Sequence, residues 1–192
     1  MNIFLFVLLV CFVGKSLMRY VALLRGINVG GNTMIKMAEL KAVFEQLGFE
    51  NVVSYINSGN LAFDCKKEGE EKLVSKLEKA IEDKFGKSVA VMVREQKDIV
   101  QVCAGNPFEG QFESHKEMHV LFLKEPMTDE QKGILRSLTP EKERFVTKGR
   151  EIYCHLPLGV ADSFLGRGQF EKKLKISVTA RNWRTVQKLS EL

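Results

Sequence analysis

The chain's four cysteines, Cys11, Cys65, Cys103 and Cys154, contain no C-x-x-C pair. That removes zinc ribbons and thioredoxin-type redox motifs from consideration. Scattered single cysteines of this kind act as small buried hydrophobes in a reducing compartment. Histidine is scarce too: His115, His119 and His155. The H-x-x-x-H pair His115/His119 sits partly on a strand and is weak evidence for metal, so no metal or other cofactor is expected. There is no G-x-S-x-G elbow and no Walker A loop, which leaves the common serine-hydrolase and P-loop chemistries without a carrier. No apolar run is long enough to span a bilayer; the eleven residues Ile3–Val13 fall well short.

What is present is the composition of a globular protein: 192 residues, 45% hydrophobic and 28% charged, with four prolines. Such a chain buries a real core, as one domain or two small ones. The formal charge of +5 suits a nucleotide, nucleic acid or other anionic ligand, and is equally ordinary for a protein with no such partner. The apolar start has the length of a signal core, but no basic stretch precedes it and no small-x-small cleavage site follows. Met18 then opens directly onto a strand. Residues 1–17 therefore read as an upstream extension that adds nothing to the fold, with a signal or anchor as the rival reading. The corresponding expectation is a cytoplasmic protein that does not bind membranes, or an exported one under the rival.

The periodicity gives an ordered series of elements. Tyr20–Leu24 is a buried strand, followed by a glycine-rich loop from Arg25 to Asn32. Met37, Leu40, Val43, Phe44 and Leu47 mark a helix that Gly48 stops. Val52–Ile56 and Leu61–Phe63 are strands joined by Asn57-Ser58-Gly59-Asn60, strong turn chemistry. Leu73, Leu77, Ala80 and Ile81 mark a second helix ending near Gly86, and Val89–Val93 is the fourth strand. A short helix runs from about Glu95 to Cys103, and residues 106–116 form a linker. The series then repeats. Met118–Leu123 is a strand, and Thr128-Asp129-Glu130-Gln131 is a capping box before a helix. Arg144–Val146 and Glu151–Cys154 flank a hairpin turn at Thr147–Gly149. Leu158–Leu174 is a less regular helical stretch, Ile176–Thr179 a strand, and Asn182 the N-cap of a last helix. Met92-Val93-Arg94 before a helix parallels Thr179-Ala180-Arg181 before another. The fold class is α+β, with duplicated ferredoxin-like βαββαβ halves and antiparallel sheets, spanning about 18–94 and 117–181. With the trailing helices and tails the division is 18–105, a linker at 106–116, and 117–192.

Three places carry chemistry. Arg25, Gly26, Asn28, Gly30 and Gly31 lie on a strand-to-helix loop, where free N–H groups hold phosphates. The same glycines and asparagines are also what a tight connection with positive φ requires. Ser58 and Asn60 belong to the second place, where turn geometry is explanation enough. The third is Arg181, Asn182, Trp183, Arg184 and Thr185 at a helix start. Two guanidinium groups and an aromatic face there suit an anion or a stacked base, the alternative being a capped helix with Trp183 as a buried anchor. In the expected geometry Asn57–Asn60 approaches Arg94, Lys148–Arg150 approaches Arg181–Arg184, and the Arg25–Gly31 loop lies at the far end of the first half.

Taken in order, Arg25-Gly26-Ile27-Asn28-Val29-Gly30-Gly31, Ser58-Gly59-Asn60, Asn106-Pro107-Phe108, Pro157-x-Gly159 and Thr179-Ala180-Arg181-Asn182-Trp183-Arg184-Thr185 resemble the signatures of the bacterial domain of unknown function 1697. The resemblance runs from Met18 to Leu192, and residues 1–17 depart from it. It implies a duplicated ferredoxin-like fold and no reaction. Three functions stay open. One is an anion-, nucleotide- or nucleic-acid-binding module using Arg25, Arg94, Arg181 and Arg184, although the exposed strand aromatics of RNA-recognition modules are missing. A second is an enzyme on a small anionic substrate, with Glu39 or Asp64 near the glycine-rich loop but no acid–base pair or nucleophile to support it. The third is a non-catalytic interaction or regulatory protein, a homodimer being what open sheet edges invite.

Overall fold

A computed structural model describes residues 16–30 and 33–192. The first half runs β1 (Leu17–Leu24), α1 (Met37–Gln46), β2 (Glu50–Tyr55), β3 (Asn60–Lys66), α2 (Glu70–Phe85) and β4 (Val91–Glu95), followed by α3 (Gln96–Ala104). The second runs β5 (Met118–Leu123), α4 (Asp129–Leu138), β6 (Arg144–Lys148), β7 (Glu151–His155), α5 (Phe170–Leu174) and β8 (Val178–Asn182), followed by α6 (Trp183–Ser190). The sheets have the orders β2-β3-β1-β4 and β6-β7-β5-β8, with every neighbouring pair antiparallel. These are two ferredoxin-like halves of identical strand order, as the element series predicts.

The core explains why the central strands read as unbroken apolar runs. Along β1, Tyr20, Ala22 and Leu24 face α1 and α2 in one cluster, while Val21 and Leu23 enter another. That second cluster also takes Val120 and Phe122 of β5, Ile99 and Val102 of α3, and Trp183, Val186 and Leu189 of α6. Each sheet is thus covered by its own helices on one face and by the shared α3–α6 layer on the other. Leu121 and Leu123 complete the second half's own core with Leu135, Phe170 and Leu174. Phe63 is buried between Tyr20 and Phe49, so it offers no face on which a base could stack.

Local chemistry sets the helix ends. The Thr128 side chain accepts from Gln131 N, and the Gln131 side chain accepts in return from Thr128 N, the full capping box. Asn182 Oδ1 accepts from Thr185 N at 2.9 Å. Gly86 closes α2 in the left-handed region.

Two expectations are corrected. β1 begins at Leu17, which pairs with Lys66, one residue earlier than the Met18 start. The rest of the expected extension, residues 1–15, lies outside the described residues. The stretch Leu158–Leu174, expected as a less regular helical one interrupted by Gly166 and Gly168, is helical only at α5, with Gly159 and Gly168 in the left-handed region at φ +78 and +70. Among the described residues, no helix is long and apolar enough to cross a membrane.

Candidate functional site

Antiparallel pairing decides what meets what. Leu23 pairs with Asn60 and Leu24 with Val91, so the end of β1, the β2–β3 turn and the start of β4 share one end of the sheet. The glycine-rich loop therefore sits beside the β2–β3 turn, not opposite it. Asn28 Nδ2 donates to Asn57 O at 2.8 Å and to Ile35 O at 2.9 Å, while Asn28 Oδ1 accepts from Ile35 N at 2.8 Å. One side chain thus ties the loop to the turn and to the segment leading into α1. Gly26 and Gly30 flank it at φ +66 and +62, and Asn28 itself is at φ +56.

Arg94 and Arg181 do not stay in their own halves. Arg181, on β8, donates from Nη2 to Leu24 O (2.9 Å), Ser58 O (3.1 Å) and Gly59 O (3.2 Å) across the interface. Its Nε donates to Asn60 Oδ1, and Nη1 donates to Thr179 Oγ1 (2.7 Å) and Ala180 O (2.8 Å). Arg94, on β4, mirrors this by donating to Leu123 O (2.7 Å) and Arg150 O (3.4 Å) of the second half. The expected approaches are thereby exchanged: Asn57–Asn60 receives Arg181, and Lys148–Arg150 receives Arg94. The error lay in the direction of β3 and β7, which start where β1 and β5 end.

The two arginines differ in what neutralises them. Arg94 Nε meets the Glu151 carboxylate at 2.8 Å, with side-chain exposures of 2% and 14%. The position equivalent to Glu151, at the start of β3, is Asn60, a neutral amide. Every acceptor around Arg181 is uncharged, and burial without a counter-charge lowers its pKa to about 10. It still carries its proton at neutral pH. A buried cation fully hydrogen-bonded but not paired leaves a positive potential on the groups above it.

Above it lie the turn and Arg25. Arg25 is partly exposed and reaches Glu171 of α5 at 2.5 Å. Glu171 Oε1 also accepts from Val178 N at 2.8 Å, so this carboxylate is anchored to the β8 edge. It lines a cleft of about 250 Å³ with Val160, Leu165, Phe170, Val178 and Ala180. Arg25 is thus joined through Glu171 to the cleft at the junction of the halves. Sequence reasoning missed Glu171, which acts across the junction and stands in no motif, and it named Thr179 only as part of the Thr179–Thr185 signature, without its contact to Leu24 O.

The remaining predicted residues separate. Trp183 is buried, edge-on to Phe112, and Thr185 is buried beside it, so neither offers a face to a ligand. Asn182 spends its oxygen on the helix cap. Of that stretch only Arg184 is exposed, and Arg181 points away from it into the junction. The anchored-helix reading of Trp183 holds, and an anion site built from Arg181 and Arg184 together does not form. Ser58 Oγ accepts from Asn60 Nδ2 at 3.0 Å and is a turn brace. Asp64 pairs with Arg19 at 2.8 Å near the start of β1, at the other end of the sheet from the loop it was expected to serve. Glu39 pairs with Lys36 on the surface. Gly31 lies outside the described residues. His119 is buried on β5 with Nδ1 unpartnered, and among the described residues no three His, Cys, Asp or Glu side chains converge as a metal site.

Residues 17–153 match the family described as "Protein of unknown function (DUF1697)". The fold is similar to that of a conserved bacterial protein, SP0830 from Streptococcus pneumoniae, with a TM-score of 0.74 and 25% identity over 92% of this chain and 98% of that one. Comparison with curated proteins gave no match. A family match over most of the chain, joined to two ferredoxin-like halves in the same order, places this protein in the DUF1697 family, which carries no assigned function.

Proposed function

We propose that the protein binds a small anion, a phosphate- or carboxylate-bearing molecule, where the glycine-rich loop and the β2–β3 turn face α5. The observation that carries this reading is the buried Arg181 guanidinium, which has six hydrogen-bonded acceptors and no carboxylate. Its donors are all engaged, so it contributes field rather than contact. The contact group is the Arg25 guanidinium, at the start of a loop that left-handed residues at positions 26, 28 and 30 bend and that Asn28 N closes by donating to Thr33 O at 3.2 Å. Arginine suits the task because its planar fork donates two hydrogen bonds to one oxyanion. An anion at Arg25 competes with Glu171 for the guanidinium, and the adjoining apolar cleft takes the rest of the ligand. The unpaired thiols of Cys65, Cys103 and Cys154 fit a reducing, cytoplasmic setting.

The test is titration with inorganic phosphate and a nucleoside monophosphate, followed by amide shifts at Gly26, Asn28 and Ser58. Arg25→Ala should weaken binding by about 1.5–3 kcal/mol, the usual scale for a charged hydrogen bond, with little loss of stability because the side chain is half exposed. Arg184→Ala should bind as wild type does. Equal binding by wild type and Arg25→Ala would overturn the site.

A further inference from the structure

At the opposite end of β1 from the glycine-rich loop lies a second concavity, of about 420 Å³, beside the β3–α2 connection. Lys66 ends β3 there and Lys67 follows it, and Lys72 and Lys76 stand one turn apart on the exposed face of α2. We propose that this pocket is a binding site for a compact oligophosphate, distinct from the junction site and independent of it.

Charge is the first argument. Four lysines line the pocket against two glutamates, Glu50 and Glu68, an excess of two positive charges. Glu68 is shared, accepting from Lys72 at 2.6 Å and lying 3.8 Å from Lys76. Lys66 and Lys67 form no ion pair with any described residue, and both are exposed. Their charge is therefore uncommitted, and the wall concentrates it.

Construction is the second. The connection that presents these lysines is clamped from below. The Tyr20 hydroxyl donates to Glu68 O at 2.9 Å and accepts from Glu68 N at 3.2 Å. Tyr20 is itself buried in the first core. Lys76 rests over the Phe49 ring at 5.5 Å, which holds its stem against the floor formed by Leu47 and Phe49. A lysine cluster on a free loop would have to become ordered on binding; this one is pre-set, which lowers the cost of engaging several ammonium groups at once.

Shape is the third. A concavity of this volume with lysines on two walls encloses a short chain of phosphates. It offers no exposed aromatic on which a base would stack, since Phe49 is buried. The recognised chemistry is the phosphate chain itself, either free or as part of a nucleotide, and the experiment separates the two sources.

Tripolyphosphate and ATP are titrated separately into the full chain at low salt, by calorimetry, with lysine side-chain resonances followed in parallel. Tripolyphosphate should bind with signals at Lys66, Lys67, Lys72 and Lys76, more weakly as salt rises. Lys66→Ala/Lys67→Ala should lose at least tenfold in affinity while melting near wild type, and Lys66→Arg/Lys67→Arg should retain most of it. Equal affinity for ATP and tripolyphosphate marks the chain alone as the ligand; tighter ATP binding adds a nucleoside contact, and either result supports the site. Arg25→Ala should leave these signals unchanged, so failure here and failure at the junction are separately visible. No binding at millimolar tripolyphosphate overturns the proposal, as does unchanged affinity in the alanine pair. So does length-dependent binding of single-stranded RNA without tripolyphosphate binding.

Discussion

Arg94 and Arg181 stand at equivalent places in two copies of one fold, and they have come to do different things. Each leaves its own sheet and caps the end of the other half's first strand, Leu123 O for one and Leu24 O for the other. Each also reaches the hairpin turn beside that strand. On the Arg94 side three cations are answered by carboxylates: Glu151 pairs Arg94, Glu78 pairs Lys124, and Glu70 pairs Arg150. On the Arg181 side the answering residues are neutral or small, with Asn60 in the place of Glu151 and Gly59 in the place of Arg150. The lesson is that a duplicated lock can be kept mechanically intact while its charge balance is released on one side. The unbalanced side is the one that carries the long glycine-rich loop.

The sharpest way to break this comparison is to remove each arginine in turn. Arg94→Met leaves the mostly buried Glu151 carboxylate without its partner and should cost about 3–5 kcal/mol in urea unfolding. Arg181→Met leaves Ser58 O and the buried Asn60 Oδ1 without that donor, but it also removes a buried charge that nothing neutralises, and Gly59 O keeps the Leu24 N–H. Leu24 O keeps the Thr179 hydroxyl. The expected cost is smaller, about 1–3 kcal/mol. A larger loss for Arg181→Met would mean that the two arginines are equivalent braces after all.

Acid should separate the halves next. His119 occupies on β5 the place of Tyr20 on β1, and burial lowers its pKa to about 4 against an unfolded value near 6.5. Between those values the unfolded chain takes up a proton that the folded chain refuses. Stability is therefore full above about pH 6.5 and is lost as the pH falls towards 4, by up to about 3 kcal/mol. His155, depressed by burial and by Arg144, adds in the same direction. Tyr20 stays neutral throughout this range, since burial raises its pKa. Hydrogen exchange at pH 5 should show α4 and α5 losing protection before α1 and α2. His119→Leu should flatten the pH slope, and an unaltered slope would remove His119 as the cause.

Much of this architecture is legible in the chain. Alternating and continuous apolar patterns give the element order, and its repetition gives the duplication, because both depend only on local periodicity. The Thr128 capping box and the Asn182 cap are legible for the same reason. What escapes is whatever depends on direction and on the other half. The turn chemistry of Asn57–Asn60 says nothing about which strand end it meets, and an arginine in a strand looks alike whether it faces water or another sheet. One signal was present for Arg94, which stands in the unbroken apolar run of β4, a strand buried on both faces where a cation needs acceptors from outside its own sheet. The repeat of Val-Arg and Ala-Arg before a helix marked Arg94 and Arg181 as a pair. Glu171 had no such mark.

The turns themselves offer a smaller contrast. Gly59 has φ +77, and a Cβ there would come within 2.7 Å of Leu24 Cβ and 2.9 Å of Ile27 Cδ1. The turn is pressed against the end of β1, where Gly59 O accepts from Leu24 N at 2.8 Å. Gly59→Ala should cost about 2–3 kcal/mol through backbone strain and overpacking together. At the equivalent place, Arg150→Ala loses only a partly exposed pair with Glu70 and should cost less than about 1 kcal/mol. Comparable melting shifts for the two variants would show that the first turn relaxes more easily than its packing indicates.

The smallest expected effect on stability belongs to the substitution that would make the two sides alike. Asn60→Asp gives Arg181 the carboxylate that Glu151 gives Arg94. The retained Oδ1 still accepts from Arg181 Nε, while the amide bonds to Tyr55 O and Ser58 Oγ are lost. A gained ion pair and two lost hydrogen bonds nearly cancel, so the change in unfolding free energy should stay within about 1 kcal/mol. Binding should respond far more than folding. With an internal counter-charge the potential over the glycine-rich loop falls, and phosphate affinity at Gly26 and Asn28 should drop about tenfold, a change of about 1.4 kcal/mol. Glu151→Gln is the matching control: it creates an unpaired Arg94 on the other side of the junction and should leave phosphate binding at the loop as it was. If Asn60→Asp binds phosphate as wild type does, the buried charge contributes nothing at the surface, and Arg25 must hold the anion without help from the junction.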